Sequence, residues 1–490
     1  MTGGLALFVA GPLLGTALCF IVARSQTAQR VIALSVSGAV TVASIAVLVH
    51  VDTVGPVTTS MGGWPDAISI TFVADRLGAL MLVIGNVMMF AVLVYAIGQG
   101  SRDERSPWYA PAYLALVAGV SGAFLAGDLF NLFVCFEILL MASYVLMTLE
   151  GSDDQIRSGT TYVVLNVVES LVLVTGVALV FATTGTLSMA ELPDRLAALP
   201  DGVALGLSLL LLIAFGLKAA VFPLFSWLPD SYPAAPSPVS AVFAGLLTKV
   251  GVYAILRTQT QWFPDSNRTL LLVIAAATMV VGVLGAIAQA DIKRILSFQI
   301  VSSIGYMIAG IALGGVAAVA AVVFYIVHHI PVKTSLFLVD GIVEQDEGTS
   351  ELSRLGGLGR RSGFLAVLFL IPAFSLAGIP PFSGFIGKLG VITVGLDQGE
   401  WWIVAVALVV SILTLVSMMK IWTGAFWGAA PDNRPRGVLR HHPLMSTMTW
   451  FVVALTLAIV MFAGPIYSFA ERTAADLAVA PTATTTVGAP

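Results

Sequence analysis

The sequence predicts an all-α polytopic membrane protein with about fourteen transmembrane helices. Of its 490 residues, 58% are hydrophobic and only 10% are Asp, Glu, Lys or Arg, whereas soluble domains carry about 25% charged residues. Apolar runs of about 20 residues, the length that spans a bilayer, recur along the whole chain. So few charges cannot cover a soluble protein of this size, which excludes a soluble enzyme. The net charge of -4 also gives no basic surface for nucleic acid.

The apolar runs, taken in chain order, define the predicted spans. Their approximate cores are 3–23, 30–50, 72–98, 111–127, 129–149, 160–183, 204–227, 237–257, 269–289, 295–313, 317–340, 364–396 (interrupted), 402–427 and 446–470. An even number of spans places both termini on the same side of the membrane. The Ala/Thr/Pro-rich tail after Glu471 is predicted to be disordered.

Loop charges predict the orientation, because cytoplasmic loops are enriched in Lys and Arg. With an external N-terminus, most of the loop cations become cytoplasmic, so both termini are predicted to be extracytoplasmic. The cytoplasmic cations are then Arg24, Arg30, Arg102, Arg105, Arg157, Lys293, Arg294, Arg354, Arg360, Arg361, Arg434, Arg436 and Arg440. The external ones are Arg76, Arg195, Arg257, Arg268 and Arg472.

Two predicted spans, the seventh and the twelfth, are broken by proline. Pro223 follows Lys218 by five residues, and Pro380 and Pro381 precede Lys388. Proline removes a helical hydrogen bond, and broken backbone at membrane depth is tolerated only where protein or a hydrated cavity satisfies it. Paired broken helices indicate inverted repeats with transport sites near the breaks.

The repeat predicts four regions. They are residues 1–110 with helices 1–3, a first half-channel of helices 4–8 in 111–257, a second of helices 9–13 in 258–428, and helix 14 with the tail in 429–490. A faint internal similarity supports this division, since PLFSWL resembles PFSGFI and TKVGVYA at Lys249 resembles MKIWTGA at Lys420.

Lysine usage is inverted relative to most proteins. A charged residue at the centre of a span costs about 2.5–3.5 kcal/mol on insertion scales. Only Lys293 lies in a predicted loop, and the other five lysines fall within predicted spans: Lys218, Lys249, Lys333, Lys388 and Lys420. This placement predicts a functional role for buried cations.

Two acidic residues lie within spans. Glu137 is predicted to pair with Lys218 by depth, in a pair that can hold or release a proton, or alternatively in a static ion pair that fixes helix packing. Glu169 is a candidate proton or coupling-ion carboxylate, and it could instead pair with a helix of another subunit.

The remaining intramembrane cations have no obvious acidic partner. Lys249 and Lys388 are predicted proton-relay groups, with snorkelling to an interface as the alternative. Snorkelling is more plausible for Lys420, which lies nearer the predicted cytoplasmic end of its span.

The eleventh predicted span contains two adjacent histidines. His329 and Lys333 are four residues apart and share a helix face, whereas His328 and His329 diverge by about 100°. This divergence argues against a metal held by both histidines, so a proton relay is predicted, with packed histidines as the alternative. Cys19 and Cys135 both fall in apolar runs, and no metal, nucleotide or redox-cofactor motif is recognised.

Several stretches resemble the antiporter-like subunits shared by respiratory complex I, membrane hydrogenases and Mrp-type cation/proton antiporters. They are FGLKAAVFPLFSWLPDSYPAAPSPVSAVFAGLLTKVGVYAILR, DIKRILSFQIVSSIGYM, VHHIPVKTSLFLV and AGIPPFSGFIGK. The run SWLPDSYPAAPSPVSA and the lysine at 388 favour the Mrp type. The resemblance implies that Glu137 and Lys218 are the family's Glu–Lys pair, that Lys249 connects the halves, and that Lys388 is the terminal lysine.

The resemblance also implies a function. It predicts a component of a seven-protein bacterial plasma-membrane complex (proteins A to G) that exchanges cytoplasmic Na⁺ for external H⁺. The alternatives are a proton-pumping arm of a complex I or hydrogenase type of redox enzyme and a purely structural subunit.

Overall fold

The computed structural model describes residues 4–62, 68–264, 266–429 and 442–478. The first half of the described chain contains eleven α-helices and one hairpin. The helices are α1 (Leu7–Ile21), α2 (Gln26–Thr53), α3 (Arg76–Gln99), α4 (Tyr109–Leu125), α5 (Leu129–Thr148), α6 (Asp153–Thr184), α7 (Leu192–Ala197), α8 (Asp201–Ala219), α9 (Trp227–Ser231), α10 (Ser237–Val242) and α11 (Thr248–Arg257). The hairpin strands are β1 (Val57–Met61) and β2 (Ile70–Ala74).

The second half of the described chain is helical apart from its connections. Its helices are α12 (Arg268–Ala288), α13 (Ile292–Leu313), α14 (Gly315–Glu347), α15 (Leu358–Arg361), α16 (Gly363–Ala377), α17 (Ser383–Asp397), α18 (Trp401–Ile421), α19 (Pro443–Met461) and α20 (Ala463–Ala478). Short π-helical segments join α10 to α11 at 243–247 and extend α11 over 258–262 and α18 over 422–427.

The described helices confirm the predicted membrane architecture. Eleven of them, counting each π-extended run as one, are long and apolar enough to cross a bilayer, and α1, α4 and α16 are shorter apolar helices. Taken in chain order, these helices correspond one by one to the fourteen predicted spans. The chain is therefore a multi-pass membrane protein.

A β-hairpin lies where the sequence predicts only a loop, so the fold is not purely helical. Strands β1 and β2 pair antiparallel, with Met61 opposite Ile70. The Gly127 amide donates to the Thr71 carbonyl at 2.8 Å, which joins the hairpin to the α4–α5 connection. We call this end of the bundle the hairpin face.

The other end of the bundle, here called the opposite face, carries the α12–α13 and α14–α15 connections. Asp291 and Glu351 form an isolated antiparallel bridge there, and the Ile292 amide donates to the Ser350 carbonyl at 3.0 Å. The arginine distribution predicts that the opposite face is cytoplasmic.

Two boundary predictions are wrong. Lys293 is not in a loop but in the first turn of α13, with 4% of its surface exposed. The segment that follows Glu471 is not disordered as far as Ala478, because α20 continues to that residue and buries Ala474 and Leu477. The predicted tail beyond Ala478 and the arginines Arg434, Arg436 and Arg440 lie outside the described residues.

Candidate functional site

The first helix break follows Lys218 directly. Helix α8 ends at Ala219, and Ala220 adopts a left-handed conformation with φ 58°. The Phe222 amide, which the break leaves outside a helix, donates to Thr278 Oγ1 at 2.9 Å. Trp227 Nε1 donates to the Leu217 carbonyl at 3.1 Å. Side chains therefore satisfy backbone groups around Pro223, as a break inside a membrane requires.

Lys218 pairs with Glu169, which corrects the prediction that its partner is Glu137. The Lys218 Nζ lies 3.8 Å from Glu169 Oε2, and about 1% and 2% of the two side chains are exposed. None of the described residues hydrogen-bonds to either charged group. An ion pair this dry and this poorly hydrogen-bonded is costly, so it is a weak device for stability alone.

Glu137 takes a different position, one step away from that ion pair. Its carboxylate accepts a hydrogen bond from the Ser170 hydroxyl, and Ser170 is the neighbour of Glu169 on α6. The three side chains on α5, α6 and α8 therefore form one cluster next to the first break. The sequence brings Glu137 and Lys218 to this cluster correctly but assigns the wrong carboxylate to the ammonium.

Lys249 lies at the π-helical junction between α10 and α11. It has no exposed surface, and its Nζ donates to the Ala244 carbonyl at 2.7 Å and to Thr248 Oγ1 at 3.2 Å. A π-bulge leaves a carbonyl such as that of Ala244 free to accept from a side chain. As predicted, no carboxylate among the described residues forms an ion pair with Lys249.

Close packing ties Lys249 to both neighbouring parts of the site. A Cβ on Gly251 would lie 2.6 Å from the Ala219 nitrogen, so α11 packs directly on the first break. A Cβ on Gly245 would lie 2.5 Å from Thr334 Oγ1, so the π segment packs on α14 beside Lys333. Only glycine permits these approaches.

Helix α14 carries His328, His329 and Lys333 through the bundle without interruption at Pro331. Lys333 Nζ donates to the Leu296 carbonyl of α13 at 3.2 Å. Neither ring nitrogen of the fully buried His329 has a hydrogen-bond partner within the described parts of the chain. The two histidines face different neighbours, as their 100° separation predicts.

His328 connects α14 to the second helix break. Its Nδ1 lies 2.8 Å from Ser383 Oγ and 3.5 Å from Ser375 Oγ, and these serines stand on opposite sides of Pro380 and Pro381. The two hydroxyls are 2.9 Å apart.

Lys388 closes the second break from the other side. Its Nζ donates to the Ala377 carbonyl and to Ser411 Oγ, both at 3.2 Å. It also lies 4.8 Å from the centre of the Tyr306 ring. The last carbonyl of α16 is thus held by a buried lysine, in a cation–π contact, rather than by backbone.

Lys420 is half-buried near the opposite face. Its Nζ donates to the carbonyls of Ile287 and Gln289 at 2.8 and 2.5 Å. These carbonyls end α12, so Lys420 works as a C-terminal helix cap. The contact gives Lys420 a structural task that the other buried lysines lack.

The arrangement suits proton transfer better than metal or redox chemistry. Contacts between neighbouring elements follow one another from α5 and α6, through both breaks, to α18. Each step offers a group that can gain or lose a proton. No group of three or more His, Cys, Asp or Glu side chains that could hold a metal occurs within the residues the structure describes.

Sequence reasoning does not predict a third charged cluster, on α13 and α14. Lys293 Nζ lies 2.7 Å from Glu344 Oε2, and Asp340 is buried one helical turn before Glu344. The spacing of Asp340 and Glu344 from Lys333 is a signal that could have found it. Hydropathy hides that signal, because the charged residues make this end of the helix resemble a loop.

Comparison with known proteins places this fold and site. The family described as NADH:quinone oxidoreductase/Mrp antiporter, transmembrane, matches residues 126–414. The chain is 40% identical to the D-type subunit of the Na⁺/H⁺ antiporter of Alkalihalophilus pseudofirmus over 94% of both sequences.

Solved structures give the same result. A chain of the Mrp complex from Dietzia sp. DQ12-45-1b superposes with a TM-score of 0.89, at 33% identity and 97% coverage of both chains. A chain of respiratory complex I from Thermus thermophilus superposes with a TM-score of 0.84 over 97% of this chain and 100% of that one. Its identity is 24%, which shows the fold alone.

The fold and the buried ionisable chain thus define an antiporter-like membrane subunit, and the protein belongs to the NADH:quinone oxidoreductase/Mrp antiporter family. Within that family, the relatives that match it over most of its length are D-type subunits of Na⁺/H⁺ antiporters.

Proposed function

We propose that this chain is the proton-translocating subunit of a multisubunit Na⁺/H⁺ antiporter of the bacterial plasma membrane. It exchanges cytoplasmic Na⁺ for external H⁺ and is driven by the proton-motive force. The single observation that carries the proposal is the series of buried ionisable groups between the two broken helices, four of which are lysines with at most 4% of their surface exposed. A subunit that only assembled the complex would be cheaper to build with apolar residues.

The proposed proton path begins at the cluster beside the first break. Glu137 and Glu169 exchange protons with Lys218, and Lys249 receives the proton at the π-helical junction. His329 and Lys333 on α14 continue the path. His328 passes it across the second break to Lys388, while Lys420 is a peripheral member.

Coulomb coupling links the steps. Two charges at close range in a low-dielectric interior interact far more strongly than in water. Protonation of one lysine therefore makes protonation of the next one less favourable. Discharge of Lys249 would favour uptake of a proton at Lys333, and the series would work as a directional relay.

The partners in this proposal are the other proteins of the complex, namely A, B, C, E, F and G. Both termini lie outside the cell, which puts the opposite face in the cytoplasm. The complex I and hydrogenase alternative is less specific, because the likeness to complex I extends to the fold alone.

The test is Na⁺-dependent proton movement in everted membrane vesicles that contain the whole complex and no redox substrate. Wild-type vesicles are expected to exchange Na⁺ for H⁺. Glu137→Gln and Lys218→Ala are expected to lower the rate at least about tenfold, as loss of a proton-transfer group does. Glu150→Gln, in the exposed Arg102–Glu150 pair, is the matched control. Full antiport by a normally assembled Lys218→Ala complex would contradict the proposal.

A further inference from the structure

Four ionisable residues form a stripe along the lower half of α14. His329, Lys333, Asp340 and Glu344 are separated by four, seven and four residues, and these intervals return to nearly the same helix face. With a rise of about 1.5 Å per residue, Asp340 lies about 10 Å beyond Lys333 along the axis. The relay described above uses only the upper two members of the stripe.

The lower two members belong to a cluster that reaches the opposite face. Glu344 accepts from Lys293 Nζ and from Ser237 Oγ at 2.5 Å, and 38% of its side chain is exposed. Asp340 lies deeper, with 1% of its surface exposed. Only its Oδ2 is bonded, by Ser350 Oγ at 3.2 Å.

The second oxygen of Asp340 is the independent sign of an incomplete site. Asp340 Oδ1 is buried and has no hydrogen-bond partner among the described residues. A buried polar atom without a partner is costly. A carboxylate in this position is therefore poised to bind something small and positive.

The charges around Asp340 are one cation short. On α13, Lys293 faces it as a cation and Asp291 as an anion. On α14, Glu344 is an anion, and from α3 Tyr95 donates to the Leu338 carbonyl at 2.8 Å. Lys293 is committed to Glu344, so Asp340 has no cation of its own. A proton would neutralise it and would also give its carboxyl a donor.

A sodium ion fits the same place poorly. Hard cations take several oxygen ligands, whereas Ser350 is the one hydroxyl bonded to Asp340.

Helix α13 links this cluster to the relay. Lys333 Nζ donates to the Leu296 carbonyl, which is three residues, or about one turn, from Lys293. The Lys333 side chain therefore reaches along α13 towards the cluster, and no further ionisable residue of the stripe stands between Lys333 and Asp340.

We infer that Asp340, supported by Lys293 and Glu344, is the site at which the second half of the protein exchanges protons with the aqueous phase at the opposite face. The site takes a proton and not Na⁺. A proton from bulk water binds the Asp340 carboxylate and makes it a neutral acid. The acid then passes that proton to the neutral amine of Lys333, which regenerates the carboxylate and leaves an ammonium. The inference rests on the proposed antiport function.

The test measures initial antiport rates against bath pH in everted vesicles, in which the opposite face is predicted to meet the bath. Exchange by the wild type establishes the function independently, so its absence would refute the antiport proposal. Asp340→Asn is expected to lower the maximal rate at least about tenfold without raising the KM for Na⁺. Asp346→Asn is the matched control, because Asp346 is bonded to His442 and lies about 120° around the helix from Asp340.

Asp340→Glu supplies a second variant if the amide disturbs assembly. It keeps an exchangeable proton, so activity is expected to return with a displaced pH midpoint. Wild-type rate and pH profile in Asp340→Asn would overturn the inference, and so would an unchanged midpoint in Asp340→Glu. A raised KM for Na⁺ at an unchanged maximal rate would also overturn it, since that result would mark a sodium site.

Discussion

The ammonium of Lys218 lies 3.8 Å from the Glu169 carboxylate, and neither group makes a hydrogen bond to any other described residue. An ion pair that only fixed helix packing would gain from such bonds, because they offset the cost of desolvation. The absence of these bonds leaves the two groups free to change partner or protonation state.

Glu169→Gln is therefore expected to impair antiport as severely as Glu137→Gln, at least about tenfold. The amide cannot exchange a proton with Lys218 but preserves side-chain volume. The measurement is the antiport rate in vesicles normalised to assembled complex. Wild-type activity in Glu169→Gln would show that the pair is structural.

Lys249→Met separates function from stability. The variant loses a hydrogen bond to the Ala244 carbonyl, which costs about 1 kcal/mol, but it removes a buried cation, whose penalty is several kcal/mol. The unfolding temperature is expected to stay the same or rise, while antiport falls at least about tenfold. A fall in both would assign Lys249 to packing.

Gly384→Ala should disrupt the second break. An added Cβ would lie 1.8 Å from the Ser375 carbonyl oxygen and 3.0 Å from the His328 ring, and backbone cannot yield that far. The expected result is strongly reduced assembled protein. Gly206→Ala is the control, since its Cβ would meet nothing within 4 Å and alanine favours a helix by about 1 kcal/mol. Equal yields of the two variants would contradict this account.

Asp103 gives a pH-dependent prediction outside the spans. Burial, with a contribution from nearby Glu150, raises the pKa of its carboxyl to about 6. Because the folded-state pKa lies above the unfolded value, stability declines as pH rises from about 4 to 6 and stays lower above that.

Asp103→Asn should consequently raise the unfolding temperature at pH 8 by a few degrees, with little effect at pH 4. Thermal unfolding of the purified complex at the two pH values measures the difference. An equal shift at both pH values would rule out the ionisation effect.

The sequence predicts most of the fold because length and hydropathy determine spans. It also predicts the breaks, because proline cannot continue a helix. It does not predict which carboxylate reaches Lys218, since that depends on the rotation of α5 and α6 about their axes. The buried face of α6 repeats at Gln155, Gly159, Tyr162, Asn166 and Glu169, a spacing of three and four residues that would have turned Glu169 inward.

The lower end of α14 escapes prediction for a different reason. Charged residues end the apolar run, so the hydropathy pattern stops before Asp340, whereas the helix itself continues to Glu347. The same rule places Lys293 in a loop. Hydropathy alone cannot separate a charged loop from a charged and buried helix end.

The uninterrupted course of α14 has a consequence for how this gene can change. The alignment of Lys333 with Asp340 depends on the number of residues between them rather than on their identity. Deletion of one residue between 334 and 339 would turn Asp340 and Glu344 by about 100° relative to Lys333 while removing neither. This stretch should therefore accept many substitutions and no insertion or deletion.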